Sequence, residues 1–467
     1  MYKTKVLHLL QHFDSLELNH LKKFLVSPFF NKREDVVRLF DFMVGEMTNS
    51  KPDFSKEKAF TYIFPNKKWK GQEMYNELSD LFKLVEQFLA VREFSNNTPL
   101  VNLQLAKAYR AKKQKKGFQK VLKQGKKILE KQSLRDRKYM LYDYELEFEY
   151  YDYVASKANA PENNLQALAD KYDQMYIAEK LKLYCFQIAH RQIFNNNYSI
   201  RLQEAILQLL EQDEEELSKN PMVNLYYLSY QAATTDNEKY FLQLRKKMLE
   251  YQNNFAESEM RDINLLAINF CIKKMNTGKE EYIKEALELY RFGLERKYLI
   301  ENNEISTSTY RNVVLIGIKL KEYIWVEEFI KNYKPNLNYK IRNSISNYCL
   351  ATLRYEQKKY KEAMRLLIDF SSKDYTLFLS AKFTLAKMYY ELNEINPLDS
   401  LLQSMNAYLN NKKKIGEKVK SFYKKIIKLL KKLLKLIPSK TAKNKFRAEV
   451  TELSVPSARE WFLRQLL

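Results

Sequence analysis

Glycine and proline are nearly missing from this chain: 8 glycines and 10 prolines stand among 467 residues. All-β sandwiches and barrels need frequent Gly- and Pro-rich turns, so those folds are excluded. Phosphate-cradling loops need glycines within a few residues of one another, and no two glycines lie closer than Gly117 and Gly125. With 45% hydrophobic and 29% charged residues the chain can still bury a large core. A long, nearly all-helical protein is what remains.

The hydrophobic period agrees. Met74, Leu78, Leu81, Val85 and Phe88 step by three and four, with Phe82 and Leu89 widening the stripe. Glu73, Glu77, Asp80, Lys83 and Glu86 take the other side, which describes an amphipathic helix. Helices are expected at 3–12, 15–25, 33–47, 55–63 and 71–94, forming an N-terminal bundle over 1–97. Capping signals are read at Asn31 with Glu34, Thr235 with Glu238, Thr277 with Glu280 and Ser457 with Glu460. Pro28, Pro99, Pro161, Pro221, Pro335, Pro397 and Pro438 mark helix starts or the gaps between helices.

The formal net charge is +23, and two short segments carry all of the excess. Residues 101–138 hold 14 Lys/Arg against Glu130 and Asp136, and residues 412–447 hold 15 against Glu417. Such segments suit a polyanion, or they are simply solvated helix faces. Lysine outnumbers arginine 61 to 19, which weakens a reading based on bidentate phosphate or base recognition. Lys112, Lys113, Lys115 and Lys116 are the polyanion-binding candidates. Between 139 and 153, tyrosines alternate with Asp143, Glu145, Glu147, Glu149 and Asp152. That helix is either a packing element or an acidic, aromatic contact surface. In 415–437, Val419, Phe422, Ile426, Leu429, Leu430, Leu433 and Ile437 form one stripe flanked by lysines. It reads as a helix capping the array, within a basic C-terminal segment over 412–467. A membrane-surface role and entry into a partner's groove are the alternatives.

From about residue 180 the chain reads as helix pairs. Ala189, Ser229, Ala267, Val314, Ala351 and Ala386 mark the crossing points of first helices, with Ala286, Val326, Ala363 and Leu398 opposite in second helices. The run Leu350-Ala351-Thr352-Leu353-Arg354-Tyr355-Glu356-Gln357-Lys358-Lys359-Tyr360-Lys361-Glu362-Ala363 resembles a tetratricopeptide repeat (TPR). Leu385-Ala386 with Tyr389 is similar. The Val314 pair keeps the spacing but has Gly317 at the aromatic position and Val326 at the alanine. Leu398 also replaces the family's alanine, and the first-helix Trp and closing Pro are missing, so the repeats are degenerate. The resemblance covers 301–411, with a weaker trace over 98–300. Ser27-Pro28-Phe29-Phe30-Asn31, Phe64-Pro65, Leu78-Ser79-Asp80-Leu81 and Tyr323-Ile324-Trp325-Val326-Glu327-Glu328-Phe329 make the whole chain similar to a group of bacterial TPR-containing proteins, and no activity follows from that.

The resemblance implies an N-terminal helical bundle followed by a right-handed α-solenoid of TPR-like hairpins. First helices would line a concave groove. Its candidate peptide-binding residues are Arg311 and Lys319, with Leu315 and Ile318 beside them; Tyr348, Thr352 and Tyr355; and Phe383, Lys387 and Tyr390. The expected function is a non-enzymatic scaffold binding a protein or peptide there. The alternative is a basic nucleic-acid-associated protein.

No catalytic motif or cofactor signature is present in the sequence. His8 and His12 stand four apart, yet no third ligand accompanies them, so no metal site is assigned. Cys185, Cys271 and Cys349 are dispersed and sit in apolar patterns, as buried thiols do. The N-terminus lacks a signal-peptide pattern, and no apolar run is long enough to span a bilayer. A cytoplasmic location and no stable membrane insertion are expected.

Overall fold

The computed structural model describes the chain except residues 2, 156–162, 195, 214–219, 236, 413–414, 437–439, 454 and 467. Pro161, Pro438 and Ile437 lie outside the described residues. The chain divides into two compact units. One comprises 1–132 and 138–172, the other 133–137 and 173–467. Among the described residues the fold is all-helical apart from one two-stranded pair.

In the first unit, α1 (Lys5–Leu10), α2 (Ser15–Leu25), α3 (Glu34–Thr48), α4 (Lys56–Ile63) and α5 (Gly71–Asn96) enclose one core. Met74, Leu78, Leu81, Val85 and Phe88 are all buried in it, as their period requires. Arg33 ties α3 to α5 through Glu77 and Asp80. Asn31 accepts from the Arg33 amide and donates to the Leu25 and Arg33 carbonyls, so it shapes the loop before α3 and leaves the cap position to Arg33. A second core lies between α6 (Thr98–Ala111), α7 (Lys115–Lys131) and α8 (Arg137–Ala155).

In the second unit α9 (Leu165–Phe194), which begins in the first, leads through α10 (Gln203–Gln212) into successive hairpins. These are α11 (Pro221–Thr234) with α12 (Glu238–Glu250), α13 (Glu257–Asn276) with α14 (Glu281–Glu295), α15 (Thr307–Lys319) with α16 (Tyr323–Tyr333), α17 (Arg342–Glu356) with α18 (Tyr360–Leu367), and α19 (Tyr375–Glu391) with α20 (Ile395–Asn411). Each second helix also packs on the first helix of the next pair, and α15, α17 and α19 touch in series. The crossing residues Ser229, Ala267, Val314, Ala351 and Ala386 are buried, as are Ala286, Val326, Ala363 and Leu398 opposite them, whereas Ala189 lies half-buried on the long helix α9 and marks no such crossing. Gly317 and Val326 exchange bulk: a Cβ at Gly317 would stand 2.5 Å from a Val326 methyl.

Three of these hairpins turn in the same way. Lys321, Lys358 and Asn393 adopt left-handed backbone, each seven residues after its crossing residue. The amides of Glu322, Lys359 and Glu394 donate to the carbonyls of Gly317, Arg354 and Tyr389. This is the Schellman closure of a helix end. The same bonds close α6 at Lys113 and α13 at Gly278. Glycine is the residue that favours this position, yet four of the five sites use lysine or asparagine.

Local signals misled in four places. Thr235 and Thr277 close preceding helices, donating to the carbonyls of Gln231 and Lys274, while Asn237 and Glu280 stand at the cap positions. The last helix starts at Pro456 after Val455, and Asn31 is the fourth case. The capping box that does form, Asp14 with Glu17, opens α2. Ile300–Glu301 pairs antiparallel with Glu304–Ile305 across Asn302 and Asn303, both at positive φ, as a two-residue hairpin turn requires.

After α20 come α21 (Glu417–Leu434), α22 (Lys440–Thr451) and α23 (Pro456–Arg464). Ile426, Leu429, Leu430 and Leu433 of the α21 stripe are buried, and α21 packs on α20. That side of α21 therefore faces protein and not a bilayer. Among the described residues no helix is long and apolar enough to cross a membrane.

Candidate functional site

The first helices α15, α17 and α19 present the expected aromatic and cationic side chains on one side. The structure covers that side with α23 around Phe383, Tyr390 and Lys319. Trp461 and Phe462 are fully buried. The Trp461 ring lies 6.1 Å from Phe383 and 5.7 Å from Tyr390, and Phe462 stacks on Phe383 at 6.3 Å. Lys319 reaches Glu460 of the same helix at 3.7 Å. Tyr348, Tyr355 and Phe383 are buried, so the open groove lined by these residues is corrected to a face already occupied by the chain itself.

The remaining candidates divide. Arg311 lies over the Tyr348 ring at 5.4 Å, and the Thr352 hydroxyl donates back to the Tyr348 carbonyl. Neither contact involves α23. Leu315 is exposed and Ile318 buried.

Glu391, at the end of α19, organises the covered face and was not singled out in the sequence. Its Oε1 accepts from the Tyr355 hydroxyl at 2.5 Å and from the Trp461 indole N–H at 2.7 Å. Its other oxygen accepts from the Tyr360 hydroxyl and, at 3.2 Å, from Lys358. Burial disfavours the charged carboxylate, but these four donors outweigh it and hold its pKa below the ordinary value. Lys387 sits within 5.8 Å of the Phe383, Tyr355 and Trp461 ring centres. Burial pulls its pKa down to about 8. The ring faces act the other way, attracting the ammonium.

The polyanion candidates lie in the first unit, at the turn from α6 to α7. Lys112, Lys113, Lys115 and Lys116 are exposed, and none has a carboxylate partner among the described residues. Three other cations of that basic segment are paired. Lys107 pairs with Glu145 at 3.0 Å, Arg110 with Glu149 at 2.8 Å and Lys126 with Glu147 at 3.0 Å. The acidic, tyrosine-rich α8 is thus a packing element that neutralises its neighbours. Its Tyr153 ring rests 4.5 Å from Phe118, and Tyr142 accepts from Asn97.

Cys185, Cys271 and Cys349 are buried free thiols, and burial pushes their pKa values up, to about 12 for Cys271 and Cys349. That keeps them protonated and unreactive. His12 Nδ1 stands 2.7 Å from the His8 carbonyl, which fixes that nitrogen as the donor. Among the described residues no three His, Cys, Asp or Glu side chains stand close enough to hold a metal ion. Comparison with protein-family models, curated proteins and solved structures finds no match.

Proposed function

We propose that the chain is a non-enzymatic scaffold, built as a right-handed TPR-like solenoid behind an N-terminal bundle, that binds a helical segment of a protein on the face of α15, α17 and α19. The observation that supports this reading is α23 itself. A helix sits there, anchored by one indole on Glu391 and one carboxylate near Lys319. The repeated Schellman turns at 37- and 35-residue intervals support the repeat architecture. On this reading α23 stands in for the ligand. A partner helix would offer a bulky aromatic with an N–H donor and an acidic residue beside it.

The test uses a fluorescein-labelled peptide of residues 456–467. The Trp461→Ala full-length variant, whose own helix is weakened, should bind it at least tenfold more tightly than the parent does. Binding by neither protein would refute a helix-binding face.

A nucleic-acid-associated protein is the second reading, favoured by the unpaired lysines at the turn after α6. Changing Lys112, Lys113, Lys115 and Lys116 to Glu should then abolish retention on heparin at low salt. If the parent protein shows no retention and shifts no duplex, that reading fails.

A further inference from the structure

The lysines of α21 are sorted by their neighbours. Lys420, Lys425 and Lys432 pair with Glu417, Glu452 and Glu449. Lys424, Lys428, Lys431 and Lys435 are exposed and have no carboxylate partner among the described residues. Their steps of four, three and four put them on one side of the helix. Lys445 of α22 faces the same space, a cleft of about 890 Å³ between α20, α21 and α22. The lining of that cleft is not basic throughout. Ile427, Leu436, Ala442 and Phe446 supply an apolar floor, Asn406 and Asn410 of α20 add polar lining, and the one acidic lining residue, Glu449, is taken up by Lys432.

We propose that this cleft docks an acidic amphipathic helix from a partner protein. The lysine row runs eleven residues, about 16 Å at 1.5 Å per residue, which is three turns of a facing helix. Carboxylates on the flanks of that helix would meet the lysines, and its apolar side chains would cover Leu436 and Ala442. A nucleic acid would satisfy the lysines but leave the floor uncovered. A lipid surface would need an apolar protrusion, and here the apolar residues form a recess. Lysine also suits this partner, because scattered carboxylates need point charges and not a fixed fork. The site is separate from the face that holds α23, so its failure would leave the previous reading standing.

The experiment is fluorescence anisotropy on the full chain. The probe is a labelled, designed 14-residue helix with leucines at i, i+3, i+4, i+7 and i+11 and glutamates on its flanks. The parent should bind it, and binding should weaken as salt rises. Lys428→Glu with Lys431→Glu should weaken it at least tenfold, whereas Lys112→Glu with Lys113→Glu should change it less than twofold. Ala442→Trp, which fills the recess without altering charge, should weaken it at least fivefold. All three variants should keep the parent's helical circular dichroism. Equal affinity for a probe with the same charge and shuffled leucines would overturn the proposal in favour of a simple polyanion site. So would loss of binding in the Lys112/Lys113 pair, or tighter binding to duplex DNA or phosphatidylserine vesicles than to the helix.

Discussion

The two basic segments carry nearly equal excess charge, and each has part of it taken up by carboxylates further along the chain. In 101–138 a following acidic helix takes up Lys107, Arg110 and Lys126, and the lysines at the turn after α6 and along the exposed side of α7 have no carboxylate partner among the described residues. In 412–447 Glu449 of α22 and Glu452 just past it take up Lys432 and Lys425, and the unpaired lysines border a cleft with an apolar floor. The net charge of a segment therefore says little about the charge available to a ligand. What counts is the next helix in the chain and which side it turns inward.

The largest effect should separate the two sides of α21. Leu429→Asp puts a charge into a fully apolar interface and should cost about 4 kcal/mol. Lys428→Glu, one residue away, should cost under about 0.5 kcal/mol. Equal thermal melts for the two variants would mean that the stripe is not buried.

Next comes the neutralised segment. Glu149 is buried, so Glu149→Ala leaves the Arg110 guanidinium with Asp152 alone. A loss of about 2 kcal/mol is expected, below the range for fully buried pairs because Arg110 is partly exposed. Urea denaturation measures it, and a loss below about 0.5 kcal/mol would place the pair among surface ion pairs.

Lys387 extends the comparison to a lysine held by rings and not by a carboxylate. Its folded-state pKa is about 8, whereas an unfolded lysine titrates near 10.4. Between those values the unfolded chain holds more protons, so stability rises with pH, by at most ~1.4 kcal/mol per pH unit. Glu356, Glu391, Glu460 and Arg464 are the charges nearby. Lys387→Met should flatten the slope between pH 8 and pH 10; chemical denaturation of both proteins across that interval decides it.

The smallest effect concerns the turn after α6. Lys113 holds left-handed backbone that glycine adopts freely, so Lys113→Gly should stabilise the protein by about 1 kcal/mol while removing a charge. A lower melting temperature would show that the Lys113 side chain has a structural role.

The helical fold was legible because a 3.6-residue period needs only local sequence, as Met74 to Phe88 and the buried crossing residues show. Helix ends were less legible. Thr235 and Thr277 can cap one helix or close the one before, and the choice rests on backbone geometry. The shared face of α15, α17 and α19 was read from Tyr348, Tyr355, Phe383 and Tyr390, but its cover was not. Trp461 lies 70 residues from Glu391, and nothing local links them. Which lysines stay unpaired was hidden for the same reason, since Lys107 and Arg110 find their partners 38 and 39 residues away.

The seating of α23 also bears on the order in which the protein can be finished during synthesis. Helices α15 to α20 leave the ribosome before residues 456–464 do, and segments fold as they emerge. For that interval Phe383 and Tyr390 face water, and Glu391 waits for the indole that completes its set of donors. The nascent chain therefore exposes an aromatic, adhesive surface until α23 arrives, and that interval is when chaperones would find it.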